Sequence, residues 1–226
     1  MPFRSKRFQK AVDGVSKDPQ PLADAVSLVK ARASARFTES VDLAIRLNID
    51  TRKADQQVRG SFSLPHGTGR ETRVVVFVDD PGKAEACIEA GAIKVGGEDL
   101  VAEIQGGFLG FDVAIASPKM MRVVGKLGRL LGPRGLMPAP KAGTVTDDVV
   151  TAVKEFIAGK VEYRADSAGN LHVRVGTVKF EPQHLEENIA AVVRHIADSR
   201  PSTVKGDFMR GVSISSTMGP GVRVAV

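Results

Sequence analysis

Cysteine is almost missing from this chain: Cys87 stands alone among 226 residues. No intrachain disulfide can form, which fits a reducing compartment. Tryptophan is absent, tyrosine occurs once (Tyr163) and aromatic residues reach only 5%. The paired aromatics on which an RNA-recognition sheet stacks bases have no counterpart here, nor do the platforms of single-strand binders. Four histidines occur (His66, His172, His184, His195), none in a Cys/His cluster, so a zinc site has little to draw on and no metal or cofactor is expected. No apolar run approaches the roughly 18 residues of a membrane span. The basic opening "MPFRSKRFQK" is not followed by a secretory-type apolar stretch. A cytoplasmic protein without a membrane partner is the expectation.

Nucleotide fingerprints are lacking too. A Walker loop ends Gly-Lys-Ser/Thr, but Gly125-Lys126 is followed by leucine and Met120 stands where the first glycine belongs. A dinucleotide motif lies between a strand and a helix, whereas "GTGRET" at 67–72 precedes a strand and lacks the third glycine. Asp79 and Asp80 read as a solvated strand end before Pro81. Ser117 and Ser213 have no nucleophile motif around them. Cys87 sits mid-helix beside Ile88 and reads as a small packed residue. Nothing in the sequence assembles a general acid and base, although such groups can converge from distant positions.

What is present is positive charge and a change of pattern along the chain. Net charge is +6 and the pI about 9.6, a balance that suits an anionic partner. "QPLADAVSLVKARA" carries an apolar stripe at helical spacing, and "SVDLAIRLNID" alternates so that Val41, Leu43, Ile45 and Leu47 share one face. "VRGSFSLPHGTG" is extended and ends in a Pro/Gly turn cluster, read as a linker. The pattern then switches to doubly covered strands alternating with short helices: "TRVVVFVDD", "PGKAEACIEAGA", "IKVGG", "EDLVAEIQGG", "FDVAIASPKMMRVVGKLG". That alternation predicts crossover units on a small parallel sheet. "DDVVTAVKEFIAGK" is an amphipathic helix stopped by Gly159. After it come "VEYRADSAGNLHVRVGTVKF", read as two strands around the turn 166–170, then a helix framed by Pro182 and Pro201, and a final strand pair around Met218–Gly221.

The fold class predicted is therefore mixed, α/β and α+β. Residues 1–66 and 160–226 form a composite α+β domain, and 67–159 form an α/β domain inserted into one of its loops. Charge divides the same way. The outer segments hold 21 basic and 14 acidic residues; the middle holds 11 and 12. Within the middle, Val113 to Thr146 carries six basic residues and no acid. The Gly/Pro-rich "KLGRLLGPRGLMPAPKAGT" (126–144) supplies Lys126, Arg129, Arg134 and Lys141 of these. With aromatic stacking excluded, what remains for nucleic acid is recognition of a folded RNA by phosphate, hydroxyl and shape. In "SISSTMGPG", Ser213, Ser215 and Thr217 alternate ahead of a tight turn that lets a backbone approach sugar or phosphate. On residues alone this is equally an ordinary polar edge hairpin, and a nucleotide-binding α/β enzyme in the middle segment stays open.

Four stretches, "KADQQVRGSFSLPHGTG", "AGAIKVGGEDL", "KLGRLLGPRGLMPAPKAGT" and "SSTMGPGVRV", resemble in sequence and order the bacterial form of the L-one family of large-subunit ribosomal proteins. The resemblance covers essentially the whole chain. It implies no enzymatic activity, an RNA-binding domain built from both termini and an inserted Rossmann-like domain. It further implies binding to the stalk junction of 23S rRNA as a monomer within the ribosome, help in releasing exit-site tRNA, and repression of its own operon mRNA. Residue by residue, "ARFTES" makes Arg36, Phe37, Thr38 and Ser40 RNA-binding candidates. Many members carry lysine where Arg36 stands, which keeps the charge with a different geometry. The C-terminal turn adds Thr217, Met218 and Gly219, with Ser215 and His172 beside them. Arg129, Arg134 and Lys141 are auxiliary candidates for phosphate contact.

Overall fold

The computed structural model describes residues 5–225; residues 1–4 of the basic opening stretch and Val226 lie outside it. The chain divides into two compact units, Met1–Arg70 with Val161–Val226, and Glu71–Lys160. No helix among the described residues is long and apolar enough to cross a membrane.

The first unit opens with helix α1 (Lys6–Val12), whose first turn is capped by the Ser5 hydroxyl accepting from Phe8 N–H. Helix α2 (Leu22–Arg32) buries Ala25, Val26 and Val29, the stripe its spacing predicts. Strand β1 (Ser40–Leu47) alternates as expected, burying Val41, Leu43, Ile45 and Leu47. Strand β2 (Arg59–Ser63) follows, and the chain passes into the second unit.

There, strand β3 (Val74–Phe77) is buried at all four positions. Helix α3 (Pro81–Glu89) starts where Asp80 accepts from Gly82 N–H at 3.0 Å. Strand β4 (Lys94–Gly96), helix α4 (Glu98–Gln105) and strand β5 (Val113–Ala116) complete a parallel sheet of order β4-β3-β5. Side chains of β3 alternate into two cores. Val74 and Val76 pack with Cys87, Val153 and Phe156; Val75 and Phe77 pack with Leu100, Ile104, Leu127 and Leu131. Burial and Asp148 push the Cys87 thiol up, against Lys83. Where the sequence suggests one helix after β5, the glycines break it into short turns. Helix α5 (Met121–Val124) and helix α6 (Gly128–Leu131) are single turns joined by a 3-10 turn. Helix α7 (Val149–Ala158) closes the unit, its Asp148 cap accepting from Thr151 N–H.

Strand β6 (Lys160–Arg164), strand β7 (Asn170–Thr177), helix α8 (Pro182–Asp198), strand β8 (Met209–Ser216) and strand β9 (Val222–Val224) complete the first unit. The expected β6–β7 hairpin does not form as one ladder. β6 pairs with β2, β7 pairs with β1, and a single bridge, Ala165 to Leu171, joins them. The main sheet has order β7-β1-β8-β9, antiparallel throughout. Its β1 face buries the alternating apolar set against α2 and α8, where Leu185, Ile189, Val192 and Ile196 form the matching stripe. Each such aliphatic side chain taken from water contributes about 1.5–3 kcal/mol, which fixes the register and commits the opposite face to solvent.

A candidate RNA interface

Alternation on β1 turns Ser40, Asp42, Ala44 and Arg46 away from the helices. Register places Asp42 between Arg174 of β7 and Ser215 of β8, and Ala44 between His172 and Ser213. Ser213 in turn pairs with Arg223 of β9. One open face thus carries three arginines, a histidine and three serines around a single acid. Arg174 Nε is buried and lies 3.9 Å from Asp42 Oδ1, too far for a hydrogen bond. Burial raises the Asp42 carboxyl above its ordinary value, against the pull of Arg174 and His172. His172 Nε2 is 3.9 Å from Asp166 Oδ2. The Asp166 carboxylate is itself fixed by N–H bonds from Asn170 and Ala168, which hold its pKa down.

At the end of this face two distant segments meet. Arg36, Phe37 and Thr38 form an exposed tip ahead of β1, and Thr217, Met218 and Gly219 form the turn after β8. Phe37 is 55% exposed and Met218 45%, unusual for large apolar side chains. Paired backbone and hydroxyl bonds join the segments. Thr217 N–H donates to Ser40 O at 3.0 Å, and Ser40 N–H donates to Thr217 Oγ1 at 3.0 Å. The Thr217 hydroxyl is therefore occupied in part by its own chain and keeps one lone pair for an outside group. Gly219 is needed for packing as well: a Cβ there would run into the Ser216 side chain.

Glu39 lies beneath both segments, and nothing in the sequence marks it as buried. It is 2% exposed. Its carboxylate accepts from Ala35 N–H and from Met218 N–H, both at 2.9 Å. Arg7 of α1 sits beside it, donating to Met218 O and to Ser34 Oγ at 3.4 Å each. Burial pushes the Glu39 carboxyl up. The two N–H bonds, the nearby Ser216 hydroxyl and the Arg7 charge outweigh that and hold it below its ordinary value. Among the described residues, buried Ser216 Oγ has no partner at hydrogen-bond distance.

The second unit offers a different surface. Lys119, Arg122, Lys126, Arg129, Arg134 and Lys141 are all exposed. Among the described residues none of the six pairs with an acid or has its side chain hydrogen-bonded. The Gly/Pro stretch that carries them is firmly seated. Leu127, Leu131 and Ala142 are fully buried, and the Thr144 hydroxyl bonds both N–H and O of Ala139. At Gly132 a Cβ would lie 2.5 Å from the Gly128 carbonyl oxygen. The loop's leucines and glycines thus serve the core, while its cations are left free.

The structure accordingly brings Arg36, Phe37, Thr38, Ser40, Thr217, Met218 and Gly219 together, with Ser215 and His172 on the adjoining face. Arg129, Arg134 and Lys141 belong to the other unit. The sequence reading missed Arg46, Arg174 and Arg223, whose shared face emerges only from strand register, and Glu39.

Comparison with known proteins gives the same direction. Residues 29–220 match the family described as the ribosomal protein L1p/L10e family. The chain is 52% identical to the large ribosomal subunit protein uL1 of Thermosipho melanesiensis over 226 residues, covering 99% of this chain and 97% of that one. The protein of the same name from Cutibacterium acnes is 51% identical over 222 residues, covering 98% and 95%. That of Hydrogenovibrio crunogenus is 51% identical over 219 residues, covering 97% and 94%.

Proposed function

The chain belongs to the ribosomal protein L1p/L10e family, and from that premise we propose that its two surfaces divide the work of holding a folded ribosomal RNA. It is a non-enzymatic constituent of the large ribosomal subunit, located in the cytoplasmic ribosome, and the nucleotide-binding enzyme reading of its middle segment is dropped. The RNA is the stalk junction of 23S rRNA, bound by the composite domain of residues 1–66 and 160–226. The convergence of 36–40 with 217–219 carries this reading. It presents two uncovered apolar side chains, hydroxyls and a tight glycine turn at the end of a basic sheet face. Phe37 and Met218 lie against sugar or base, the hydroxyls of Thr38, Ser40, Ser215 and Thr217 read 2′-hydroxyls, and Gly219 lets the backbone approach. Arg36, His172, Arg46, Arg174 and Arg223 supply charge. The inserted Rossmann-like domain, 67–159, contributes auxiliary phosphate contacts through Arg129, Arg134 and Lys141.

Exit-site tRNA and an mRNA fold of the protein's own operon are proposed as further partners. The mRNA competes with the junction for one face, so a saturating junction fragment displaces it.

The test is binding to a stalk-junction fragment and to an unrelated hairpin across a salt series, for the wild type and for Thr217→Ala with Met218→Ala. The wild type prefers the junction, and the double variant binds it at least about tenfold more weakly at every salt, because the lost contacts are not ionic. Equal binding of junction and hairpin by the wild type overturns the reading.

A further inference from the structure

An acid at the centre of a surface that meets RNA calls for a reason. A carboxylate near phosphate is repelled, and Glu39 is the single acid between Arg32 and Val41. Its position supplies one. The Glu39 side chain reaches both halves of the candidate interface, one oxygen on the 33–36 loop through Ala35 N–H and the other on the C-terminal turn through Met218 N–H; Arg7 spans the same two segments from outside, through Ser34 Oγ and Met218 O. Ala35 and Met218 are 183 residues apart in sequence. The backbone around it is fixed as well: Glu39 O accepts from Val178 N–H at 3.0 Å, at the end of β7. The residue is buried and turned inward, so no phosphate or base can touch its carboxylate.

We propose that Glu39 is a positioning residue of the RNA site: it sets the spacing between the Arg36–Thr38 tip and the Thr217–Gly219 turn, and makes no contact with RNA itself. The inference rests on the reading of this surface as the RNA site. The geometry requires an acceptor of full glutamate length. Two N–H groups converge on one side chain from opposite sides, and a carboxylate, which only accepts, satisfies both. The amide of glutamine offers one oxygen and would set its NH2 against one of the N–H groups. Aspartate keeps the charge and is one methylene too short to span the gap.

The two variants separate positioning from simple charge. If Glu39 acted on RNA only through its charge, Glu39→Gln would bind RNA more tightly and Glu39→Asp would leave binding unchanged. Positioning predicts that both variants lose at least about tenfold in affinity for the stalk-junction fragment. Binding to an unrelated hairpin, which needs no particular spacing, stays within about twofold of the wild type. The measurement is direct titration of both RNAs with full-length protein well below each variant's melting temperature, alongside amide exchange at Met218. Faster Met218 exchange with selective loss of junction binding supports the proposal. Junction binding at or above the wild-type level by Glu39→Gln overturns it. So does an equal loss on junction and hairpin, which would mark general damage to the fold. Should Glu39→Gln fail to fold, Glu39→Asp alone decides: selective loss supports the proposal and unchanged junction binding overturns it. A wild type that does not prefer the junction instead condemns the RNA reading, and that result is separate from any difference between variants.

Discussion

The two basic surfaces differ in how their residues are held. On the first unit few charges are used, and the elements that carry them are bonded to one another: Ser40 with Thr217, Ala35 and Met218 with Glu39, Arg7 with Ser34 and Met218. On the second unit six cations stand on short turns, with no partner of their own among the described residues. A bonded arrangement has already met the ordering cost of its groups and can discriminate between shapes. Free cations on long side chains follow phosphate wherever it lies and discriminate little. The lesson is that local basic charge and bonded geometry are separable here: the acid-free basic stretch of the middle unit, 113–146, is not where distant segments are bonded into one surface.

Three measurements break or sharpen that contrast. The largest effect is expected at the turn. Gly219→Val drives a side chain into Ser216, costs about 1–3 kcal/mol of stability through overpacking, and lowers junction affinity at least about tenfold at low and high salt alike. An effect that fades as salt rises would place the turn with the simple charge surface. The next is the triple change Arg129→Ala, Arg134→Ala, Lys141→Ala. It flattens the plot of log affinity against log salt by about 2 to 3, from three phosphate contacts at about 0.7–0.9 each. Thermal stability and preference for the junction over a hairpin are unchanged, and loss of that preference would erase the distinction between the surfaces. The smallest is a pH effect. The Glu39 carboxyl is held below its ordinary value of 4.5, so its contribution to stability is present above that value and is lost as pH falls through the lower, folded one. The gap in melting temperature between the wild type and Glu39→Gln therefore closes on acidification. A gap that stays constant down to pH 3 would mean the carboxylate contributes nothing by being ionised.

Much of this was legible from the residues. Alternation in 40–47, the fully apolar 74–77, and the helix bounded by Pro182 and Pro201 all appear where periodicity and turn chemistry put them. These signals are local, because the side chains themselves record which face is covered. Pairing across the chain leaves no such mark. That β6 joins β2 and not β7 depends on contacts between residues about a hundred apart. The broken helices after β5 follow from Gly125 and Gly128, whose cost in a helix is large enough to break it when buried leucines at 127 and 131 can be satisfied by single turns. Glu39 escaped notice for a related reason. A lone acid beside Arg36 reads as a solvated surface charge, and only the arrival of Met218 from the far end of the chain reveals it as buried.

The sheet order has a consequence for how the protein is made. Strand β1 lies between β7 and β8, so residues 40–47 have no partners until 170–177 and 209–216 have been synthesised. The parallel sheet of 74–116 and its closing helix are complete by residue 158. During synthesis the middle unit can therefore settle first, while the opening segment waits with one apolar strand face uncovered. The turn at 217–219 and strand β9 follow these segments in the sequence and complete the sheet and the surface proposed to meet RNA. An interrupted chain would carry the exposed cations of the middle unit without the bonded surface of the first. On the reading proposed above, competence to select a particular RNA thus becomes a property of finished molecules.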